Sequence, residues 1–232
     1  MTTMLTAAFF DFDKTLLAVD SLETEARMIL TENWDNGEYL RFFHMVLGMA
    51  FYIPAYEIGL ISPQQINLKA YKSYKGLAME RLDNDSQRLY EQTLRPKLYP
   101  KILQILQDHR KKGNLIIVLS ATPEHLLKPF VKEFNIDFWE STTLEFDKEK
   151  VCTGNPMGKI CIGAEKERVL QRMVKELNID VGRSYAYSDH HHDLEFLDAV
   201  GNPKVVNPTK ELEEIANKRE WEIITTNVEL VK

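Results

Sequence analysis

Ala7-Ala8-Phe9-Phe10-Asp11-Phe12-Asp13-Lys14-Thr15-Leu16-Leu17 is a short apolar run that breaks into two carboxylates and a hydroxyl. A run of this length, closed by charge, predicts a strand buried on both faces, as in a parallel sheet. Ligands of such sheets sit just past the carboxyl ends of the strands. Asp11 and Asp13 fall at that exit. Two close carboxylates are costly unless a cation holds them, so a metal ion is their natural partner. A plain polar strand exit would also read Asp-x-Asp, so the rest of the chain has to decide.

After Leu17 the pattern turns helical. Asp20 and Ser21 can cap a helix that carries Glu23 and Glu25 in its first turn. An apolar segment follows at 42–56 (Phe42 to Tyr56), with His44 the polar residue inside it. It is shorter than the roughly 20 apolar residues of a membrane span. Pro54, Glu57 and Gly59 also interrupt it. It is read as a buried helix of a bundle, with a substrate-lining or membrane-dipping surface as the alternative. Ser62-Pro63 opens a further helix that Gly76 ends. Residues 79–94 read as another. No strand pattern occurs in 20–97.

From Lys101 the pattern alternates. Helical spacing over 101–112 is followed by a strand at 114–119 that ends in Ser120-Ala121-Thr122-Pro123. Then come a helix from Glu124, a short strand at 136–139 and a hairpin or loop excursion over 142–153. A helix at 166–177, a strand at 184–187, a helix at 193–200 and a strand at 204–206 complete the reading. Such alternation predicts right-handed crossovers and a parallel sheet. The expected fold class is α/β: a Rossmann-like, doubly wound parallel sheet from 1–19 and 98–232, with an all-helical segment, 20–97, inserted.

A chain of 232 residues has room for one large domain, or for one domain with a smaller one inserted. Its 44% hydrophobic and 28% charged residues are those of an ordinary globular protein. A net charge of -6 argues against nucleic acid as the partner, but leaves room for a small phosphorylated metabolite. The cysteines, Cys152 and Cys161, are too few for a disulfide framework and lack zinc spacing. The first residues carry no signal-peptide pattern. A cytoplasmic protein without stable membrane insertion is expected, and a homodimer is left open.

Several strand exits or helix starts carry groups suited to phosphate: Asp11 and Asp13; Ser120 with the backbone N–H of Ala121; Lys166; and Asp189 with Asp193. Gathered together, these would suit metal-assisted phosphoryl transfer, with a carboxylate attacking phosphorus. The order and context of these residues resemble the haloacid dehalogenase (HAD) superfamily phosphatases, in the subclass that contains phosphoserine phosphatase. Asp11-Phe12-Asp13-Lys14-Thr15 is similar to the first motif of that family, Leu119-Ser120-Ala121-Thr122-Pro123 to the second, and 158–166, ending in Lys166, to the third. Ser188-Asp189-His190-His191-His192-Asp193 is similar to the fourth, where Gly-Asp is more usual.

The resemblance implies a role for each residue. Asp11 is the nucleophile and Asp13 the general acid and base. Thr15 supports the loop, and Thr15, Ser120, Ala121 and Lys166 form the phosphate-binding group. Asp11, the carbonyl of Asp13, Asp189 and Asp193 hold Mg²⁺. Residues 20–97 occupy the place of a helical cap, and Asp20 that of an acid which reads the substrate's amino group. Arg27, Arg41, Arg81 and Arg88 are candidates to grip a carboxylate.

His190, His191 and His192 depart from the pattern. Consecutive residues on a short loop are not expected to converge on one ion, so they are read as a solvated loop. One of them touching substrate is the sharper alternative. The expected function is a Mg²⁺-dependent phosphatase acting on a small phosphomonoester through an aspartyl-phosphate. A lipid-phosphate phosphatase with an apolar cap and a catalytically silent regulatory protein are the alternatives.

Overall fold

The structure is a computed structural model that describes residues 4–35, 37 and 39–228. Its centre is β1 (Ala7–Phe10), whose four side chains are all buried. β1 is hydrogen-bonded in parallel on one side to β2 (Leu115–Pro123) and on the other to β6 (Tyr185–Ser188). β3 (Phe138–Thr142) extends the sheet beyond β2. β7 (Asn202–Val206) and β8 (Glu222–Ile224) extend it beyond β6. The order is therefore β3-β2-β1-β6-β7-β8, with every pairing parallel.

Alternation along the strands builds two cores. Ala8, Phe10, Ile116 and Val118 face one cluster with Ile102 and Leu106 of α5 (Pro100–Lys111) and Leu126 and Phe130 of α6 (Glu124–Phe134). Ala7, Phe9, Ile117 and Leu119 face the other, with Leu170 of α7 (Ala164–Leu177), Phe196 of α8 (Leu194–Asp198) and Leu212 of α9 (Lys210–Lys218). Burial on both faces is what the unbroken apolar runs of β1 and β2 require. The sequence reading did not include α9 or β8. The strand expected at 114–119 runs on to Pro123, and the one expected at 136–139 lies at Phe138–Thr142.

Between β1 and β2 run α1 (Ser21–Asp35), α2 (Tyr39–Glu57), α3 (Pro63–Tyr71) and α4 (Met79–Leu89). The single helix expected over 79–94 ends at Leu89, widens into a π turn at Tyr90–Leu94 and closes in a 3₁₀ turn at Arg95–Lys97. The excursion at 142–153 is an antiparallel pair, β4 (Leu144–Phe146) with β5 (Cys152–Pro156). It is tied to the helices: Cys152 N–H donates to the Leu77 carbonyl at 2.8 Å, and Met79 N–H to that of Lys150 at 2.9 Å. Tyr71, Tyr74 and Leu82 bury against Leu144, Cys152 and Ile160. Gly154, at φ +78°, lies so close that a Cβ there would stand 3.0 Å from Lys75 Cβ.

α2 corrects one expectation. It is not a buried bundle helix. Phe43, Leu47 and Phe51, four residues apart and so on one face, are exposed at 61%, 71% and 67%. Ile58 and Leu60 continue the apolar surface beyond the helix. The neighbours of α2 are α1 and α3. Among the described residues no second layer covers its outer side. No helix among the described residues is long and apolar enough to cross a membrane.

Candidate active site

β1 ends at Phe10, and the next residue, Asp11, is still held to the sheet by its N–H, which donates to the Tyr187 carbonyl at 2.9 Å. The chain then turns sharply. The N–H groups of Thr15, Leu16 and Leu17 all converge on the Phe12 carbonyl, and Lys14 takes a left-handed backbone at φ 58°. The turn folds the Thr15 hydroxyl back to 3.3 Å from Asp11 Oδ2 and 3.4 Å from Asp189 Oδ1. One small hydroxyl thus touches the exits of two adjacent strands, β1 and β6. This places Asp11 and Asp189 side by side.

Lys166 arrives from the first turn of α7, after Gly163 at φ 55°. Its ammonium donates to Asp11 Oδ1 at 2.8 Å and Asp193 Oδ2 at 2.6 Å. Ser188 Oγ also donates to Asp193 Oδ2, at 2.7 Å. Both donors fall on Oδ2 of Asp193. All of these groups are buried. Burial disfavours the charged lysine, but the adjacent Asp11 and Asp193 carboxylates overcome it and hold the ammonium protonated. Burial raises the Asp11 carboxyl above its usual range even with Lys166 pulling it down.

Asp13 lies apart from that cluster, at the start of α1. Its Oδ1 accepts from Ser21 N–H at 2.9 Å, and its Oδ2 from Ser21 Oγ at 3.0 Å and Thr122 Oγ1 at 2.8 Å. Ser120 Oγ donates to Thr122 Oγ1 at 2.9 Å and accepts from Thr122 N–H at 3.1 Å. A chain of hydroxyls therefore runs from Ser120 through Thr122 to Asp13. Burial, and then the nearby Asp20 charge, push the Asp13 carboxyl well above the ordinary range. Sequence reasoning missed Ser21 and Thr122. The signal available was Thr122 in the second motif, given no role of its own there, and Ser21, read as a helix cap. Asp20 does cap α1: its Oδ1 accepts from Glu23 N–H at 2.8 Å. The Ala121 carbonyl accepts from the Tyr71 hydroxyl at 2.8 Å, which joins the second motif to α3.

Asp189 is the incompletely partnered group. It is buried, and its hydrogen bond from Thr15 is long. Burial and the Asp11 and Asp193 charges push its carboxyl up to about 8. A hard divalent cation beside Asp11 and Asp189 would relieve that cost, and an all-oxygen donor set suits Mg²⁺. The residues present therefore fit the ion.

The candidate cationic grips differ from expectation. Arg27 pairs with Glu23, Arg81 with Asp85, and Arg88 with Glu32 and Asp85, all at the surface. The side chain of Arg41 lies outside the described residues. Tyr56, at the end of α2, instead feels Lys14, Asp20 and Asp189, although burial is the larger cause of its raised pKa. That brings the Tyr56 end of the apolar helix within electrostatic reach of Asp20 and Asp189. Deeper between the helices and the sheet, the Glu25 carboxylate accepts from the Tyr74 hydroxyl and lies 3.3 Å from His125 Nε2. The two cysteines are free and buried, and burial pushes the Cys161 thiol up to about 12.

The histidine loop is the second correction. The rings of His190, His191 and His192 do converge, with centroids 4.2–4.4 Å apart. A 3₁₀ turn at His191–Asp193, in which His190 Nδ1 accepts from His192 N–H at 3.2 Å, folds the three rings together. Burial and the mutual field of the rings push His190 down to about 4 and lower His192 as well.

Residues 8–198 match the haloacid dehalogenase-like hydrolase family. The chain is 24% identical over 223 residues to phosphoserine phosphatase SerB1 of Mycobacterium tuberculosis, covering 94% of this chain and 70% of the relative. It is 30% identical over 132 residues to a histidinol-phosphatase of Neisseria meningitidis, covering 56% of this chain and 60% of the relative. A solved structure of a Bordetella pertussis protein of unknown function superposes with a TM-score of 0.84 at 23% identity, covering 96% of this chain and 99% of that one. With the family matched from β1 through the Asp189–Asp193 loop, this chain belongs to the haloacid dehalogenase-like hydrolases and is an enzyme of the phosphatase type.

Proposed function

We propose that the protein hydrolyses a small phosphomonoester through an aspartyl-phosphate on Asp11, with Mg²⁺ held by Asp11, the Asp13 carbonyl, Asp189 and, at one remove, Asp193. The observation that carries this reading is the Lys166 ammonium fixed between Asp11 and Asp193, with Asp189 sharing the Thr15 hydroxyl. The ion would supply charge neutralisation between the Asp11 carboxylate and the phosphoryl oxygens. An Asp11 oxygen bonds to phosphorus as the ester oxygen leaves. Asp13, kept protonated by its burial, gives that oxygen its proton. Water then attacks the same phosphorus, Asp13 takes back a proton, and inorganic phosphate leaves Asp11. Lys166 stays charged throughout, balancing the phosphoryl oxygens. The backbone N–H of Ala121 would donate to the phosphate, and the Ser120 hydroxyl would join it by turning its proton away from Thr122.

Residues 20–97 act as a cap in this reading, excluding water and contacting the leaving group. Their first helix is docked on Asp13 through Ser21, so cap position and acid orientation are linked. The substrate's identity lies in the surface formed by Asp20, Lys14 and Tyr56. Hydrolysis of p-nitrophenyl phosphate with Mg²⁺, abolished by Asp11→Asn, tests the proposal. Unchanged turnover in that variant would end it.

The exposed apolar face of α2, whose Tyr56 end lies within electrostatic reach of Asp20 and Asp189, favours a second reading: an amphipathic phosphate ester, with its apolar portion along Phe51 and Leu47. Activity that rises when such an ester is presented in mixed micelles, against an unchanged rate on p-nitrophenyl phosphate, supports this reading.

A further inference from the structure

His190, His191 and His192 lie between the two acidic residues of the fourth motif, yet none of the steps above uses them. Three consecutive side chains on extended chain would diverge. Here the 3₁₀ turn draws them onto one side. One ring nitrogen from each can be chosen so that the three atoms lie within 4.8 Å of one another. A tetrahedral ion with imidazole ligands at about 2.0–2.1 Å sets its nitrogens about 3.3–3.4 Å apart, so the rings close by up to about 1.4 Å on binding. The rings are half-buried, so little solvent has to be displaced to close the site. His191 Nδ1 is buried without a hydrogen bond; Glu211 Oε2 lies 3.3 Å away but off hydrogen-bonding geometry. The cluster thus contains a buried ring nitrogen with no hydrogen bond and a carboxylate beside it.

We propose that His190, His191 and His192 form a second metal site, for a borderline divalent cation such as Zn²⁺ or Co²⁺, separate from the hard-cation site of Asp11 and Asp189. Ligand chemistry separates the two: imidazole selects late first-row ions, and carboxylate and carbonyl oxygens select Mg²⁺. Binding at His190 Nε2 moves that ring's proton to Nδ1 and gives up the 3.2 Å hydrogen bond from His192 N–H. Binding at Nδ1 replaces that hydrogen bond directly. Glu211, on α9, adds a carboxylate beside His191 that favours the positive ion. Water fills the remaining position.

The site sits on the segment that joins Asp189 to Asp193. The His192 carbonyl also lies 3.4 Å from where a Cβ of Gly163 would stand, three residues before Lys166. A metal clamped there restricts a loop in contact with both motifs, whatever the reaction is.

The test is titration of the Mg²⁺-saturated protein with Co²⁺, followed by its visible absorption. We expect one equivalent with the intense bands of a four-coordinate ion, kept in excess Mg²⁺ and displaced by Zn²⁺. His190→Ala or His191→Ala should weaken binding by at least about tenfold, while Asp189→Asn should keep the absorbing equivalent. Ring-nitrogen proton resonances of the wild-type protein, shifted by bound Co²⁺, give a readout that needs no variant to fold. A weak six-coordinate spectrum, loss of the signal to Mg²⁺, or binding unaffected by loss of two of the histidines would overturn the proposal. None of these results depends on whether Asp11 is a nucleophile.

Discussion

The Thr122 hydroxyl donates to Asp13 Oδ2 at 2.8 Å, and thereby fixes the carboxyl assigned here to general acid–base work. Thr122 in turn accepts from Ser120. A hydrogen bond to a charged or catalytic carboxyl contributes about 1.5–3 kcal/mol. Thr122→Val keeps the shape and removes the donor. It should lower kcat by about 10–100-fold while KM changes little, because the loss falls on a group that acts in the transition state. Thr122→Ser should recover most of the rate. Steady-state kinetics on p-nitrophenyl phosphate check this, and a change confined to KM would count against the role given to Asp13.

Lys166 balances two buried carboxylates, so its removal has a structural as well as a chemical consequence. Lys166→Met leaves Asp11 and Asp193 facing each other without a cation. Breaking a buried pair in this way costs about 3–5 kcal/mol. Asp11, already raised by burial and held down in part by Lys166, is then raised further above its unfolded value. A raised carboxyl stabilises the fold at low pH, and that contribution is lost as pH rises through its folded value. The variant should therefore be inactive and should lose more stability between pH 5 and pH 8 than the wild type does. Urea unfolding at the two pH values decides it.

The sheet was legible because β1 and β2 are apolar on both faces, which a single chain pattern records. That Asp11, Lys166 and Asp189 lie close together was legible because each stands at a strand exit or helix start, while Asp13 has its own partners at the start of α1. Thr122 and Ser21 were not, because their importance lies in which oxygen they reach across more than 100 and only 8 residues of chain respectively. α2 was misread because an apolar segment records a preference for burial, not whether anything is present to bury it. The histidines were misread because spacing arguments assume an extended chain, and a 3₁₀ turn changes which side chains share a face. β8 is three residues long at the sheet edge, too short for alternation to show.

His109, in the last turn of α5, sets a limit on acid stability. It is buried, with Nε2 2.7 Å from the Tyr187 hydroxyl and Nδ1 2.8 Å from Asn114 Nδ2. Burial, and then the Lys112 charge, push it down to about 4. The unfolded chain binds a proton near pH 6.5 while the folded one does not. Stability contributed by the neutral ring is therefore present above pH 6.5 and lost as pH falls towards 4, by roughly 3 kcal/mol for a shift of this size. His109→Gln should flatten the acid limb of the stability profile between those values. An unchanged limb would place acid sensitivity elsewhere.

Asp189 makes the reverse prediction in the absence of cation. Its carboxyl, pushed up to about 8 by burial, favours the fold when protonated, and that contribution is lost as pH rises. Chelator-treated protein should unfold at lower temperature near pH 8.5 than near pH 6.5, above the range where His109 titrates. Mg²⁺ at about 100 times its Kd should restore about 2.7 kcal/mol, and more of the melting temperature at the higher pH. Asp189→Asn should remove both the pH slope and the response to Mg²⁺. A melting temperature that ignores Mg²⁺ in the wild type would argue against the assigned ligands.

The outer face of α2 distinguishes the two substrate readings. Leu47 and Phe51 are exposed, so their side chains contribute little to the folded core. Leu47→Gln and Phe51→Gln should alter stability by no more than about 0.5 kcal/mol, as surface changes do. If the face carries the apolar portion of an amphipathic ester, each change removes buried contact only in the complex. Losing most of a large apolar side chain's burial costs about 1.5–3 kcal/mol. The pair should then lower kcat/KM for a long-chain phosphate ester by at least tenfold and leave p-nitrophenyl phosphate untouched, because that substrate ends before it reaches α2. Equal losses on both substrates would mean that the face positions the cap and not the ester. No loss on either would return the choice to the small soluble metabolite, read by Asp20, Lys14 and Tyr56.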